Sequence, residues 1–126
     1  MGCGTGVLGI MAKKCGAVSV VAVDIDDKSV ANTKENAIAN AVELDVRLDS
    51  IPPEGHYDLI MANIHRNILL AQMPAYAAYL KANGELWLSG FYEEDVPVLS
   101  QVAHECGLRV VETRNTNEWH WIRLNR

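Results

Sequence analysis

The stretch Gly2-Cys3-Gly4-Thr5-Gly6-Val7-Leu8-Gly9-Ile10 decides how the rest of the chain is read. Glycines at alternate positions, followed by an apolar run, mark a tight loop that opens into a helix. Without Cβ atoms, such a loop lets backbone approach a ligand closely. Its N–H groups, with the helix start, favour an anionic group. Gly4-Thr5-Gly6-Val7-Leu8-Gly9 also satisfies GxGxxG, a weak signal when it stands alone. Asp24 strengthens it. It lies twenty positions after Gly4, at the end of the β-branched run Val18–Val23, where an acidic side chain accepts hydrogen bonds from ribose hydroxyls. The competing reading is a plain tight turn and a solvated aspartate.

Outward from that loop, helical and strand patterns alternate, which predicts an α/β fold with a mainly parallel sheet. Val7–Lys14 reads as a short helix closed by Gly16. Val18–Val23 reads as a strand buried on both faces. Asp27 is placed to cap a helix over Lys28–Asn40, with Val30, Ala37, Ile38 and Ala41 at near-helical spacing. Leu44–Leu48 and Tyr57–Ala62 are further strands, the second stopping at Asn63. The prolines and glycine of residues 49–55 mark a loop. A helix over Asn67–Leu80 contains Pro74, which predicts a kink or a break into two helices. Lys81–Gly84 reads as a turn, Glu85–Ser89 as a strand ending at Gly90, and Asp95–Glu105 as a helix. Leu108–Thr113 and Trp119–Leu124, joined through Asn115-Thr116-Asn117, form an antiparallel hairpin.

The chain has 126 residues, enough for one domain, taken as 1–126. Hydrophobic residues make up 49% and charged residues 21%, an ordinary globular balance. No apolar run reaches the ~18 residues of a membrane span, and no signal peptide opens the chain. The net charge of −5 argues against a broad nucleic-acid surface. Three scattered cysteines, Cys3, Cys15 and Cys106, fit reduced thiols in a cytoplasm. His56, His104 and His120 show no ligand spacing, so no metal is expected. Trp87, Trp119 and Trp121 read as core or edge packing.

Dinucleotides such as NAD and S-adenosylmethionine share the glycine-loop geometry, and later segments separate them. Gly2-Cys3-Gly4-Thr5-Gly6 resembles the GxGxG motif of the class I methyltransferases. The strings Met1–Ile10, Val23–Asp26 and Met61-Ala62-Asn63-Ile64 are similar to the ribosomal protein L-eleven methyltransferases (PrmA). Leu80–Phe91, Glu118-Trp119 and Ile122-Arg123-Leu124 extend the resemblance over nearly the whole chain. It implies a Rossmann-like doubly wound sheet and S-adenosylmethionine as cofactor. It further implies methyl transfer to amines of a large-subunit ribosomal protein.

On that resemblance the cofactor is held by Gly2, Cys3, Gly4, Thr5 and Gly6. Asp24 with the adjoining Ile25 takes the ribose, and Asp49 with Ser50 faces the adenine amino group. Asn63 is expected both to contact the cofactor and to be the catalytic residue, accepting hydrogen bonds from the acceptor amine. A strand-end cap is the competing role for Asn63, and a solvated loop residue is the ordinary role for His65. The family's first strand, and its substrate-recognition domain, would precede Met1. The chain is therefore expected to be a truncated piece with no strand between the Val18 and Tyr57 strands. Two other readings stay open, an inactive cofactor-domain fragment and an NAD-binding oxidoreductase. The Asn-Pro-Pro-Tyr motif of release-factor glutamine methyltransferases is absent after Ala62. Oligomeric state is unknown from the sequence.

Overall fold

The computed structural model of the protein describes residues 2–4, 6–116 and 119–126. Met1, Thr5, Asn117, Glu118 and the side chains of Thr116 and Trp119 lie outside what is described. The chain divides into two compact units, residues 1–53 and 54–126, and each is taken by itself.

The first unit runs α1 (Val7–Lys14), β1 (Val21–Asp24), α2 (Asp27–Ala39) and β2 (Asp45–Leu48). β1 and β2 are parallel, with Val21 opposite Asp45 and Asp24 opposite Leu48. β1 is shorter than its β-branched run predicts: Val18 is 92% exposed and lies outside the strand. The ladder extends only where β2 supplies partners, because strand backbone is held by paired N–H and C=O groups. The Val18 carbonyl is taken instead by Lys13 Nζ at 2.5 Å.

α2 is capped by Asp26, not by the expected Asp27. Asp26 adopts extended backbone and accepts from Lys28 N at 3.1 Å, while Ser29 Oγ donates to its other oxygen at 3.2 Å. Asp27 falls inside the first turn, where a carboxylate complements the helix dipole. The buried stripe of α2 is Val30, Thr33 and Ala37. Ile38 is 80% exposed, so the buried stripe keeps Val30 and Ala37 and takes Thr33 in place of Ile38.

The second unit runs β3 (Tyr57–Asn63), α3 (Arg66–Tyr79) and β4 (Leu80–Ser89), then a 3₁₀ turn (Glu93–Asp95), α4 (Val96–Glu105), β5 (Arg109–Thr116) and β6 (Trp119–Asn125). Its sheet has the order β3-β4-β6-β5. β3 and β4 are parallel, and β6 is antiparallel to both β4 and β5. The α/β class, the parallel pairings and the C-terminal antiparallel hairpin are as the sequence predicts. β1 and β3 belong to separate hydrogen-bonded sheets.

Alternation sorts the second sheet into two faces. Leu86, Leu88, Ile122 and Leu124 are at most 1% exposed, and share their core with Leu69, Met73 and Tyr76 of α3 and Leu99 and Ala103 of α4. The Tyr76 hydroxyl donates to Gln72 Oε1 at 2.5 Å, and burial pushes its ionisation well above the ordinary tyrosine range. The opposite face carries Glu85, Trp87, Trp121 and Arg123. Trp87 and Trp121 meet edge to face at 5.8 Å, as expected for packing tryptophans. Trp87 Nε1 and Arg123 Nε both donate to Glu85 Oε1, at 2.9 and 2.6 Å.

Two expectations need correction here. α3 continues through Pro74 rather than breaking into two helices. The missing N–H and ring clash cost roughly 3 kcal/mol in a helix interior. Burial of Leu69 and Met73 before the proline, and of Tyr76 and Ala77 after it, keeps both halves on one packed face. The turn at Lys81–Gly84 is an outward bulge within the span of β4: pairing jumps from Tyr57↔Leu80 to Leu59↔Glu85, with Asn83 in the left-handed region at φ 66°. In the hairpin, Asn115 and Thr116 are already paired strand residues, opposite His120 and Trp119.

Truncating the fully buried Leu88 to Ala should destabilise the protein by about 2–5 kcal/mol, read as a lower urea midpoint. The hydrogen bond from Trp87, with Arg123 behind it, holds Glu85 below the ordinary glutamate value, and burial opposes this. A lowered folded value contributes stability above the unfolded value and loses it as pH falls through the folded one. Acidification through the carboxylate range should therefore lower the urea midpoint less in Glu85→Gln than in the parent chain.

Candidate cofactor and substrate site

In the first unit, the glycine loop is fastened from two sides. Cys3 N donates to Val23 O at 3.1 Å, so the loop begins along the edge of β1 that β2 does not use. Gly4 N donates to Asp24 Oδ2 at 3.1 Å. The other carboxylate oxygen, Oδ1, accepts from Asp26 N at 3.0 Å. One side chain thus holds both the loop and the start of the connection to α2. A carboxylate offers about four lone-pair sites, so Asp24 retains acceptor capacity for ribose hydroxyls.

From the other side, Thr33 is 0% exposed and donates its hydroxyl to Gly4 O at 3.0 Å, with Cys3 Sγ 3.3 Å away. Gly6 closes the loop in the left-handed region, φ 83°, and caps α1. A Cβ on Gly6 would sit 2.7 Å from Thr33 Cγ2. The glycine is therefore required both by its backbone angle and by the approach of α2. No acidic side chain occupies the first turn of α1. At Gly4, by contrast, the space a Cβ would take is open.

The expected adenine-facing pair lies at the same edge of this sheet. Asp49 follows β2 directly, and its N–H donates to Asp24 O at 2.9 Å. Ser50 N donates to Asp49 Oδ1 at 2.7 Å. Ile25 is 70% exposed beside Asp24. Parallel pairing places Asp24 and Asp49 at neighbouring carboxyl ends, where open α/β sheets bind ligands. Among the described residues of this unit, Gly2, Cys3, Gly4, Gly6, Asp24, Asp49 and Ser50 all belong to that edge; Thr5 lies outside the described residues.

Asn63 belongs to the second unit. It ends β3, exposed, opposite Ser89 of β4. Gly90 follows Ser89 at φ 89°, and a Cβ there would lie 2.7 Å from Asn63 Oδ1 and 3.0 Å from Ile64 N. The bare glycine lets the Asn63 side chain and the backbone after it lie against the end of β4. Asp95 braces the same edge. It is 5% exposed, accepting from Tyr92 N at 2.9 Å and Arg66 Nη1 at 3.1 Å. This ties the start of α3 to the turn that follows β4. Phe91 is buried and Tyr92 is 67% exposed. His65 is an exposed N-cap position of α3 whose side chain makes no capping bond. Among the described residues no cluster of three or more metal-ligating side chains occurs.

Sequence reasoning missed Thr33, Gly90 as a packing requirement, and the Arg66–Asp95 pair. Thr33 had a readable signal, since a polar residue stands between Val30 and Ala37 on one helical stripe. Nothing in the spacing marks Asp95 as buried.

The glycine loop, the acidic residues at successive strand ends and the closing hairpin define a Rossmann-like methyltransferase fold. The family model described as ribosomal protein L11 methyltransferase (PrmA) matches residues 1–126, and the chain belongs to that family. A ribosomal protein L11 methyltransferase of Porphyromonas gingivalis is 50% identical over 98% of this chain and 44% of its own length. One from Thermosipho melanesiensis is 36% identical over 95% of this chain and 45% of its own. The chain thus spans less than half the length of these relatives. A solved ribosomal protein L11 methylase of Lactobacillus delbrueckii subsp. bulgaricus superposes with TM-score 0.94 and 32% identity, over 99% of this chain and 67% of that one. M. jannaschii TYW2 in complex with AdoMet shares the fold at 17% identity, with TM-score 0.74.

Thr33→Val keeps the packing against Gly6 and removes the donor to Gly4 O. It should destabilise the chain by about 1–3 kcal/mol in urea denaturation, the range for leaving a buried acceptor unpaired.

Proposed function

We propose that this chain is the cofactor-binding and methyl-transfer part of an S-adenosylmethionine-dependent protein N-methyltransferase acting on amines of a large-subunit ribosomal protein. Membership of the PrmA family supports the reaction class. The observation that carries the cofactor reading is the loop held between Asp24 and Thr33, with open space at Gly4 and uncapped N–H groups at the start of α1.

These residues fit S-adenosylmethionine. Gly4, Thr5 and Gly6 let the backbone come close to its carboxylate end, and the N–H groups of the first turn of α1 favour that anion. Gly2 and Cys3 carry the loop to β1, Asp24 takes the ribose, and Ile25, Asp49 and Ser50 border the adenine. The bound cofactor supplies a methyl group on a sulfonium centre with a neutral thioether as leaving group. The protein's own work is alignment of the amine. Asn63 is assigned the acceptor role: its Oδ1, held over Gly90, receives a hydrogen bond from the substrate amine after that amine has lost its proton.

No described helix is long and apolar enough to cross a membrane, and Cys3, Cys15 and Cys106 are free thiols. With a ribosomal substrate, these features support a cytoplasmic setting. The net charge of −5 supports recognition of a basic protein over direct nucleic-acid binding.

Isothermal titration tests the cofactor reading. The chain should bind S-adenosylmethionine and not NAD. Asp24→Asn should weaken binding by about tenfold to a hundredfold, the range for hydrogen bonds to a charged group. Binding of NAD instead, or of neither by a folded chain, contradicts it. Asn63→Ala should lower the methyl-transfer rate by a larger factor than it weakens cofactor binding, because Asn63 meets the amine as well as the cofactor.

A further inference from the structure

The second unit contains an open cavity of about 360 Å³ beside the final hairpin, lined by Glu93, Val96 and Pro97 on one side and by Thr113, Asn115 and His120 among the hairpin residues. None of these residues is used by the site above. Thr113 and Asn115 alternate along β5 and so share a face, and Asn115 stands opposite His120. His120 is only 8% exposed and lines the cavity.

We infer that this cavity is a second substrate subsite, which takes a lysine side chain flanking the methyl-accepting residue of the substrate protein; the inference rests on the protein N-methyltransferase reading. Charge chooses the occupant. Arg114 also lines the cavity, but its guanidinium is bound to Glu112. Glu93, at the rim, has no ion-pair partner among the described residues. The start of α4 contributes a partial positive charge of roughly half a unit. Glu93 and Glu94, immediately before it, outweigh that. An ammonium has three donors and no acceptor. The Glu93 carboxylate, the Thr113 hydroxyl and the Asn115 amide oxygen are all acceptors. Val96 and Pro97 give the methylene stem an apolar wall, the usual way a long cationic side chain is housed.

Register sets the spacing. Asn63, Ser89, Trp121 and Arg114 form one row across the four strands at the carboxyl edge of β3 and β4. At ~4.8 Å per strand, the cavity's hairpin wall is roughly 14 Å from Asn63. An extended peptide advances ~3.3 Å per residue, so the second lysine would stand about four residues from the acceptor.

The test is an NMR titration of the ¹⁵N-labelled chain with Nα-acetyl-lysine N-methylamide, and with the norleucine and glutamate analogues. The lysine probe should shift the Thr113, Asn115 and His120 signals, the norleucine probe should shift them at much higher concentration, and the glutamate probe should not. Glu93→Gln, at an exposed position, should weaken the lysine probe about fivefold, the upper end for an exposed ion pair. Shifts from the glutamate probe alone, from none of the three, or an unchanged lysine affinity in Glu93→Gln would overturn the subsite. S-adenosylmethionine titrated into the same sample reports at Cys3 and Gly4. Failure of the cofactor reading is thereby seen separately from failure of the subsite.

Discussion

The Asp24 carboxylate is the constraint on which the cofactor edge depends. A glycine loop has little preference for any one shape, because each glycine loses more conformational freedom on ordering than other residues do. Here the loop is given one shape by two acceptors and a donor. Asp24 Oδ2 takes the Gly4 N–H, Val23 O takes the Cys3 N–H, and the buried Thr33 hydroxyl reaches Gly4 O. Because Asp24 also holds Asp26 N, the same side chain fixes where α2 begins. α2 in turn carries Thr33 back to the loop. The residue expected to hold a ribose is thus also the anchor of the loop beside it, and its two roles are compatible because each carboxylate oxygen has a second lone pair.

The second unit solves a different problem with the same economy of parts. Its parallel pair ends at Asn63 and Ser89, side by side. An exposed amide at a strand end would ordinarily sample many rotamers. Gly90 removes the Cβ that would block it, and the backbone after Asn63 closes down to within contact of the same glycine. Asp95, buried and bridged to Arg66, keeps the turn after β4 against the start of α3. In the proposed function Asn63 meets a reactive amine, a task that needs rigidity more than strong binding, and these contacts would supply that rigidity.

Much of this was legible in the sequence. The glycine loop, Asp24 at a strand end, Asp49 after the next strand and Asn63 after the third are all read from local pattern, because loop chemistry and strand ends leave compositional marks. Strand and helix order followed from periodicity. What failed were features set by partners distant in sequence. Val18 looks like strand but lies outside the ladder that β1 and β2 form. Pro74 allows either a kink or a break, and burial on both sides of it carries the helix through without the break. Asp26 and Asp27 are equally good caps on paper, and only the backbone decides between them. Thr33 stands on the stripe between Val30 and Ala37, but its acceptor, twenty-nine positions away, leaves no mark in the local pattern.

Amide hydrogen exchange at Cys3, Gly4 and Gly6 tests the central claim most directly. If Asp24, Val23 and Thr33 hold the loop as described, the Cys3 and Gly4 amides are protected in the free chain. Their protection then rises further with S-adenosylmethionine and is unchanged by NAD. Amides that exchange at the rate of an open loop, with no response to S-adenosylmethionine, would contradict both the anchoring and the cofactor site built on it.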